Sequence, residues 1–166
     1  MNFHEAHVAA NKILQRKIDN ALTADVFFEV AKKEAAVIRD IVYGAYDPAM
    51  YDRRGPNSGG IGDETNIEIV GGKAINGRLE VVNLTEPNPG GCPSGFCTTG
   101  KFLPALIEYG DGYKGYRYDY YDPSNKHHTF GLPRPFTKKT IESLREGKEH
   151  VRGMRDGLTR QKVKVL

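Results

Sequence analysis

The sequence predicts an α+β fold: N-terminal helices, a small mostly antiparallel β-sheet with long Gly/Pro loops, and a C-terminal amphipathic helix packed on the sheet. Three observations carry this expectation. The first 43 residues contain neither Gly nor Pro. All nine Pro and sixteen of the nineteen Gly fall between Gly44 and Pro135, where they punctuate strands and loops. Beyond Thr137 apolar residues return at helical spacing. A length of 166 residues with 39% hydrophobic content suits a single domain over 1–166. Its segments are 1–22, an N-terminal helix readable as an extension, then a helix over 23–46, a β/loop region over 47–136 and a helix over 137–160.

Each element has a local reason. Between Asn2 and Asn20, Phe3, Ala6, Ala10, Ile13, Leu14 and Ile18 share one helical face with Ala21. Thr23 suits the N-cap of a second helix, whose stripe is Phe27, Val30, Ile38, Ile41 and Ala45, and Asp47-Pro48 stops it. The pattern leaves open whether these are one bent rod or an angled pair. Residues 47–66 are turn chemistry nearly throughout. Ile67–Val70 alternates like a strand, and Arg78–Leu84 is a second strand candidate, with Asn76-Gly77 as a hairpin turn before it. Residues 86–100 read as a loop, and Phe102–Tyr109 as one or two helical turns with Pro104 at the first helical position. The alternation in residues 113–121 reads as a strand. Thr137 caps the last helix, with Ile141, Leu144, Val151, Met154 and Leu158 as its apolar stripe, and residues 162–166 suit a short closing strand.

Charge is uneven. The net charge of +3 hides a balance of −1 in residues 1–50, −1 in 51–136 and +5 in the last thirty, which hold nine basic and four acidic groups. Arg145, Lys148, Arg152 and Arg155 form a basic ridge beside the apolar stripe. It suits either a solvated face laced with ion pairs to Glu142, Glu146 and Glu149, or an edge aimed at phosphates or an acidic neighbour. No apolar run approaches the roughly 18 residues of a transmembrane helix, and the N-terminus lacks the apolar core of a signal peptide. Neither membrane insertion nor secretion is expected.

Chemistry-bearing motifs are weak. Gly55 and Gly60 have phosphate-loop spacing, but Ile61 stands where Lys is needed. Cys92 and Cys97 lie in a Pro/Gly-rich loop and lack the further ligands zinc requires. His127-His128 is the conceivable partner pair, and two reduced thiols are the simpler reading. His4 and His7, three apart on a helix, suit surface positions better than a metal. Neither a GxSxG nor an HExxH motif occurs. No enzyme, no cofactor and no metal site is expected. The most distinctive segment holds six of the nine tyrosines between Tyr109 and Tyr121. As a strand, Tyr116, Tyr118 and Tyr120 share a face, which suits a half-buried strand, a protein interface or base stacking near Arg117.

Four segments in this order carry a resemblance: YDRRGPNSGGIGD at 51–63, IEYGDGYKGYRYDY at 107–120, LPRPF at 132–136 and the closing helix from Thr140. Together they resemble small structural proteins of tailed bacteriophages of Gram-positive hosts, in the neck or tail-completion family, over roughly residues 23–160. The resemblance implies a virion subunit, assembled in the host cytoplasm, that forms a six-fold ring at the head–tail junction. Its partners would be other copies of itself, portal-side connector or stopper proteins, and a tail terminator or tail tube protein, with DNA passing through the lumen. A near-neutral body suits such a ring, since a strongly basic lumen would hold the passing genome. Interface candidates are Tyr51, Arg53, Arg54, Asp63, Tyr109, Tyr113, Tyr116, Tyr118, Arg134 and Phe136, with Phe136 also placed to staple onto the last helix near Ile141. The alternative is a nucleic-acid-binding module using the basic C-terminal helix and the Tyr-rich strand.

Overall fold

The computed structural model of the chain describes residues 2–44, 54–55, 58–85, 103–110 and 133–165. They combine helices with a two-stranded antiparallel sheet, the expected α+β class. Helical structure runs without a break from Phe3 to Tyr43: α1 (Phe3–Ala21), a π-helical stretch (Leu22–Val26), α2 (Phe27–Ile38) and a second π stretch (Arg39–Tyr43). The lack of Gly and Pro permits this continuity. A capping box closes the start: the Glu5 amide donates to Asn2 Oδ1 at 2.9 Å, and the Asn2 amide donates to Glu5 Oε2 at 3.0 Å. Thr23, expected to cap a second helix, lies inside the first π stretch instead. Its hydroxyl donates to the Asp19 carbonyl at 2.7 Å. Such back-bonding makes a wide turn tolerable without ending the helix.

Packing divides the chain into two compact units, each discontinuous in sequence: Met1–Lys32, Glu68–Val82 and Ser143–Leu166 form one, Lys33–Ile67 and Asn83–Glu142 the other. The strands β1 (Ile67–Ile69) and β2 (Val81–Asn83) are shorter than the sequence predicts. Their ladder continues through the Val70 amide, which donates to the Glu80 carbonyl at 2.9 Å.

In the first unit the predicted hairpin turn is present. Asn76 and Gly77 both take left-handed φ angles, 54° and 76°, and Ile75 and Arg78 exchange backbone hydrogen bonds of 3.0 and 3.1 Å. These are the requirements of the mirror-image turn that an Asn-Gly pair favours. The turn is held by α1. Asp19 accepts from the Gly77 amide at 2.7 Å and the Asn76 amide at 3.2 Å, and Thr23 Oγ1 accepts from the Ala74 amide at 3.0 Å. The Gly77 bond, with help from Gln15 and Asn76, holds the Asp19 carboxyl below its ordinary value of 3.8, although partial burial opposes this. Its contribution is therefore present above that value and lost as pH falls through the lowered one. Asp19→Asn should leave the helix intact but speed hydrogen exchange selectively at Asn76 and Gly77, read amide by amide by NMR.

The same unit holds the end of the chain. The helix predicted over 137–160 is two helices, α4 (Phe136–Gly147) and α5 (Glu149–Arg160), separated by Lys148 at φ 56°. The Lys148 amide still donates to the Leu144 carbonyl at 2.9 Å, while its own carbonyl accepts from Val151 and Arg152 to start α5. A side chain in the left-handed region reverses helical direction there. Rather than lying on the sheet, α5 packs chiefly on the Leu22–Val26 stretch and on α1. Its inward residues are Gly153 and Gly157, while Val151 is exposed and Met154 and Leu158 are half-buried. Gln161 locks the end: its carbonyl accepts from Lys17 Nζ at 2.7 Å and its side-chain amide donates to the Lys17 carbonyl at 2.9 Å. Residues 163–165 form no strand, contrary to expectation.

In the second unit, Ile38 and Val42 of the long helix pack with Ile61, Ile107 and Phe136, and Val37, Ile41 and Tyr43 cover this core. Helix α3 (Leu103–Tyr109) supplies Ile107. Phe136, expected to staple onto its own helix beside Ile141, instead fills the core at 2% exposure, and Ile141 is exposed. Nor does Thr137 cap α4. It lies inside the helix, where its amide donates to Glu108 Oε2 at 2.8 Å, so a carboxylate from α3 satisfies the helix start.

Candidate functional site

An open cleft of 630 Å³ lies in the first unit, where α5 passes the helix over 22–32. Its lining includes Asp25, Phe28 and Glu29 on one side and Gly153, Asp156 and Arg160 on the other. The small residues set its depth. A Cβ at Gly153 would stand 3.0 Å from the Asp25 carbonyl oxygen, and one at Gly157 would stand 2.8 Å from the Ala21 Cβ. The helices therefore approach too closely for a larger side chain at Gly157 and leave only a tight fit at Gly153. Asp25 and Arg160 form an ion pair across the floor. The other two carboxylates, Glu29 and Asp156, have no ion-pair partner among the described residues. Phe28 is 56% exposed beside them, with the Lys32 ammonium 6.0 Å from its ring centroid. The arrangement offers a cation two charges and an aromatic face.

The sequence did not single these residues out. Phe27 and Phe28 are adjacent in a helix and cannot both face inward, which is the one signal that an aromatic ring would be left outside. The predicted basic ridge lies on the same unit. Arg145, Lys148, Arg152 and Arg155 are all exposed, and none has an ion-pair partner among the described residues. The left-handed turn at Lys148 puts Arg145 on α4 and Arg152 with Arg155 on α5, so they do not form one uninterrupted helical edge. A face laced with ion pairs is not what the structure shows at these four positions; Lys139 and Glu142 at 2.9 Å provide the i,i+3 pair instead.

The other predicted contact residues fall differently. Asp63 spends its carboxylate on its own loop, accepting from the Gly59 amide at 2.8 Å, the Thr65 amide at 3.0 Å and the Thr65 hydroxyl at 2.7 Å. The Gly59 bond, followed by those from Thr65, holds this carboxyl below its ordinary value. A Cβ at Gly60 would stand 2.5 Å from the carbonyl oxygens of Arg54 and Gly55 and would strike the Tyr43 hydroxyl. The Tyr43 hydroxyl in turn donates to the Arg54 carbonyl at 3.0 Å. The Gly-Gly-x-x-Asp stretch is thus loop architecture. Arg54 is half-buried and Tyr109 is exposed, whereas Arg134 and Phe136 are buried within the chain and cannot serve as surface contacts without rearrangement. Tyr51, Arg53, Tyr113, Tyr116, Tyr118, Cys92, Cys97, His127 and His128 lie outside the described residues. Among the described residues no three His, Cys, Asp or Glu side chains gather as a metal set, and no helix is long and apolar enough to cross a membrane.

The second unit also buries a polar group invisible to periodicity. Glu34, 9% exposed, accepts from Asn83 Nδ2 at 3.4 Å, and Asn83 Oδ1 accepts from the Thr85 amide and hydroxyl at 3.1 and 2.7 Å. Burial pushes the Glu34 carboxyl above its ordinary value of 4.5; the Asn83 bond opposes this and the charge of Glu108 adds to it. Stability linked to Glu34 is therefore complete below the ordinary value and is lost as pH rises through the raised one. Glu34→Gln keeps the acceptor for Asn83 and removes the charge. It should raise stability at neutral pH by about 1–3 kcal/mol and flatten the pH dependence, as read from urea unfolding on both sides of the transition.

The profile of the YomN family matches residues 7–160, nearly the whole chain. The chain belongs to the YomN family. A similar member is the SPbeta prophage-derived protein YomN of Bacillus subtilis (strain 168), 32% identical over 107 residues, which are 64% of this chain and 58% of that protein. The chain therefore aligns with little more than half the length of this relative. The family match and the prophage origin of the relative mark the chain as phage-derived. No solved structure matches it.

Proposed function

We propose that the protein is a structural subunit of a tailed-phage virion, non-enzymatic, forming a ring at the head–tail junction that joins the capsid connector to the tail tube. The observation that carries this reading is the match to a prophage-encoded family over residues 7–160, together with the neck-like segments at 51–63, 107–120 and 132–136. Ring subunits need two different contact patches, one for each neighbour. An acidic cleft and, bordering it, cations without an ion-pair partner among the described residues supply surfaces of opposite sign. In this reading six copies close on themselves between portal-side connector or stopper proteins and a tail terminator or tail tube protein. Deleting the gene from its phage tests this. Filled heads and separate tails that fail to join are the expected micrograph; normal infectious particles would overturn the reading.

One observation favours a second reading. Four exposed cations on and between α4 and α5, without an ion-pair partner among the described residues, are also what a phosphate backbone attracts. A nucleic-acid-binding module would show affinity that falls steeply with salt and is lost on reversing Arg145, Lys148, Arg152 and Arg155.

A further inference from the structure

We infer that the cleft between α5 and the helix over 22–32 is a docking site for a second copy of this chain, and that its occupant is the basic edge of α5 on the neighbour, through Arg152 and Arg155. The inference rests on the ring reading for the presence of neighbouring copies and adds which surfaces meet. Charge complementarity selects the occupant. The cleft lining carries Asp25, Glu29 and Asp156 against the single cation Arg160, a net of −2, in a chain whose net charge is +3. Arg160 is already engaged with Asp25, so Glu29 and Asp156 remain to attract an incoming cation. On α5, Arg152 and Arg155 are exposed and likewise have no ion-pair partner among the described residues.

Among the described residues no ion pair joins the two sets within one copy, although Asp156 shares α5 with both arginines. Gly153 and Asp156 line the cleft, and at about 100° per residue Arg152, one turn before Asp156, and Arg155 border its rim. Phe28 adds specificity, because a guanidinium entering between Glu29 and Asp156 can lie against the exposed ring as well as pair with carboxylates. An arginine edge on one copy and an acidic cleft on the next form a head-to-tail contact, the kind that repeats around a ring.

Sedimentation velocity on the purified full-length chain tests this with two double variants, E29K/D156K and R152E/R155E. Each should weaken self-association at least about tenfold, and added salt should weaken that of the wild type. Mixed together, the two variants should associate again, since the ridge of the first meets the intact cleft of the second and the two reversed sets carry opposite charge. Thermal melts of each variant confirm folding. All four ridge and cleft charges lie at least partly in solvent, and E29Q/D156N provides a milder pair should E29K/D156K unfold. A wild-type chain that stays monomeric, variants that associate like the wild type, or mixtures that form no complex would each overturn the inference. So would ridge variants that lose only oligonucleotide binding, which would assign the cations to nucleic acid. Unjoined heads and tails on gene deletion, alongside unaltered association of the charge variants, would overturn the cleft assignment while leaving the ring reading in place.

Discussion

Replacing Phe136 by alanine should destabilise the protein by about 3–5 kcal/mol, enough to consume much of the stability of an ordinary domain. Phe136 is 2% exposed and touches a core built from Ile38, Val42, Ile61 and Ile107. These residues come from the long helix, the 58–66 loop and α3, so truncation leaves a cavity bordered by separate elements. The core cannot close from one side, because Ile61 is fixed by its loop: the Ile61 carbonyl accepts from Asn83 Nδ2 at 2.9 Å. Phe3→Ala is the matched control, since Phe3 is 88% exposed and should change stability by no more than about 0.5 kcal/mol. Urea unfolding of both variants checks the contrast. Equal losses would mean that Phe136 is not the centre of this core.

The same residue shows where sequence reasoning stops. The extended approach through Pro133 and Pro135 was legible, because proline restricts the residue before it. What Phe136 packs against was not, because Ile38, Ile61 and Ile107 lie far from it in the chain. Local features transferred well: the Asn76-Gly77 turn needs only two residues able to take positive φ, and the Gly- and Pro-free N-terminus reads directly as helix. The register of that helix did not. Ala31, Glu34 and Ala35 form the buried stripe with Ile38 and Val42, but alanine is weakly apolar and glutamate reads as solvated. Thr23 misled for a related reason, since the hydroxyl that suits an N-cap can also bond the carbonyl four residues back. Of the contact candidates, the basic ridge was legible as an exposed charge pattern. The cleft was not, because it depends on two glycines that no hydrophobic periodicity records.

Those glycines support the second large effect. Gly157→Ala should destabilise the first unit by about 2 kcal/mol, despite the gain of about 1 kcal/mol that alanine brings to a helix interior. Its Cβ would stand 2.8 Å from the Ala21 Cβ, well inside the roughly 3.5–4.0 Å at which carbon atoms attract. Ala21 is fully buried and belongs to a helix that cannot yield locally, so overpacking, typically costing about 1–3 kcal/mol, outweighs propensity. The Asp25 carboxylate lies against the same position, and displacing it disturbs the pair with Arg160. Gly157→Val adds two further methyl groups to the same gap and should cost more. Gly153→Ala meets the Asp25 carbonyl at 3.0 Å and the flexible Glu29 Cγ at 3.3 Å, so its propensity gain nearly offsets the crowding. The expected order of destabilisation is G157V, then G157A, then G153A, read as denaturation midpoints. A G157A variant as stable as the wild type would show that α5 does not approach Ala21 this closely. If the order holds, widening the helix pair should also separate Glu29 from Asp156 and weaken association between copies, linking the fit of two glycines to the surface on which a ring depends.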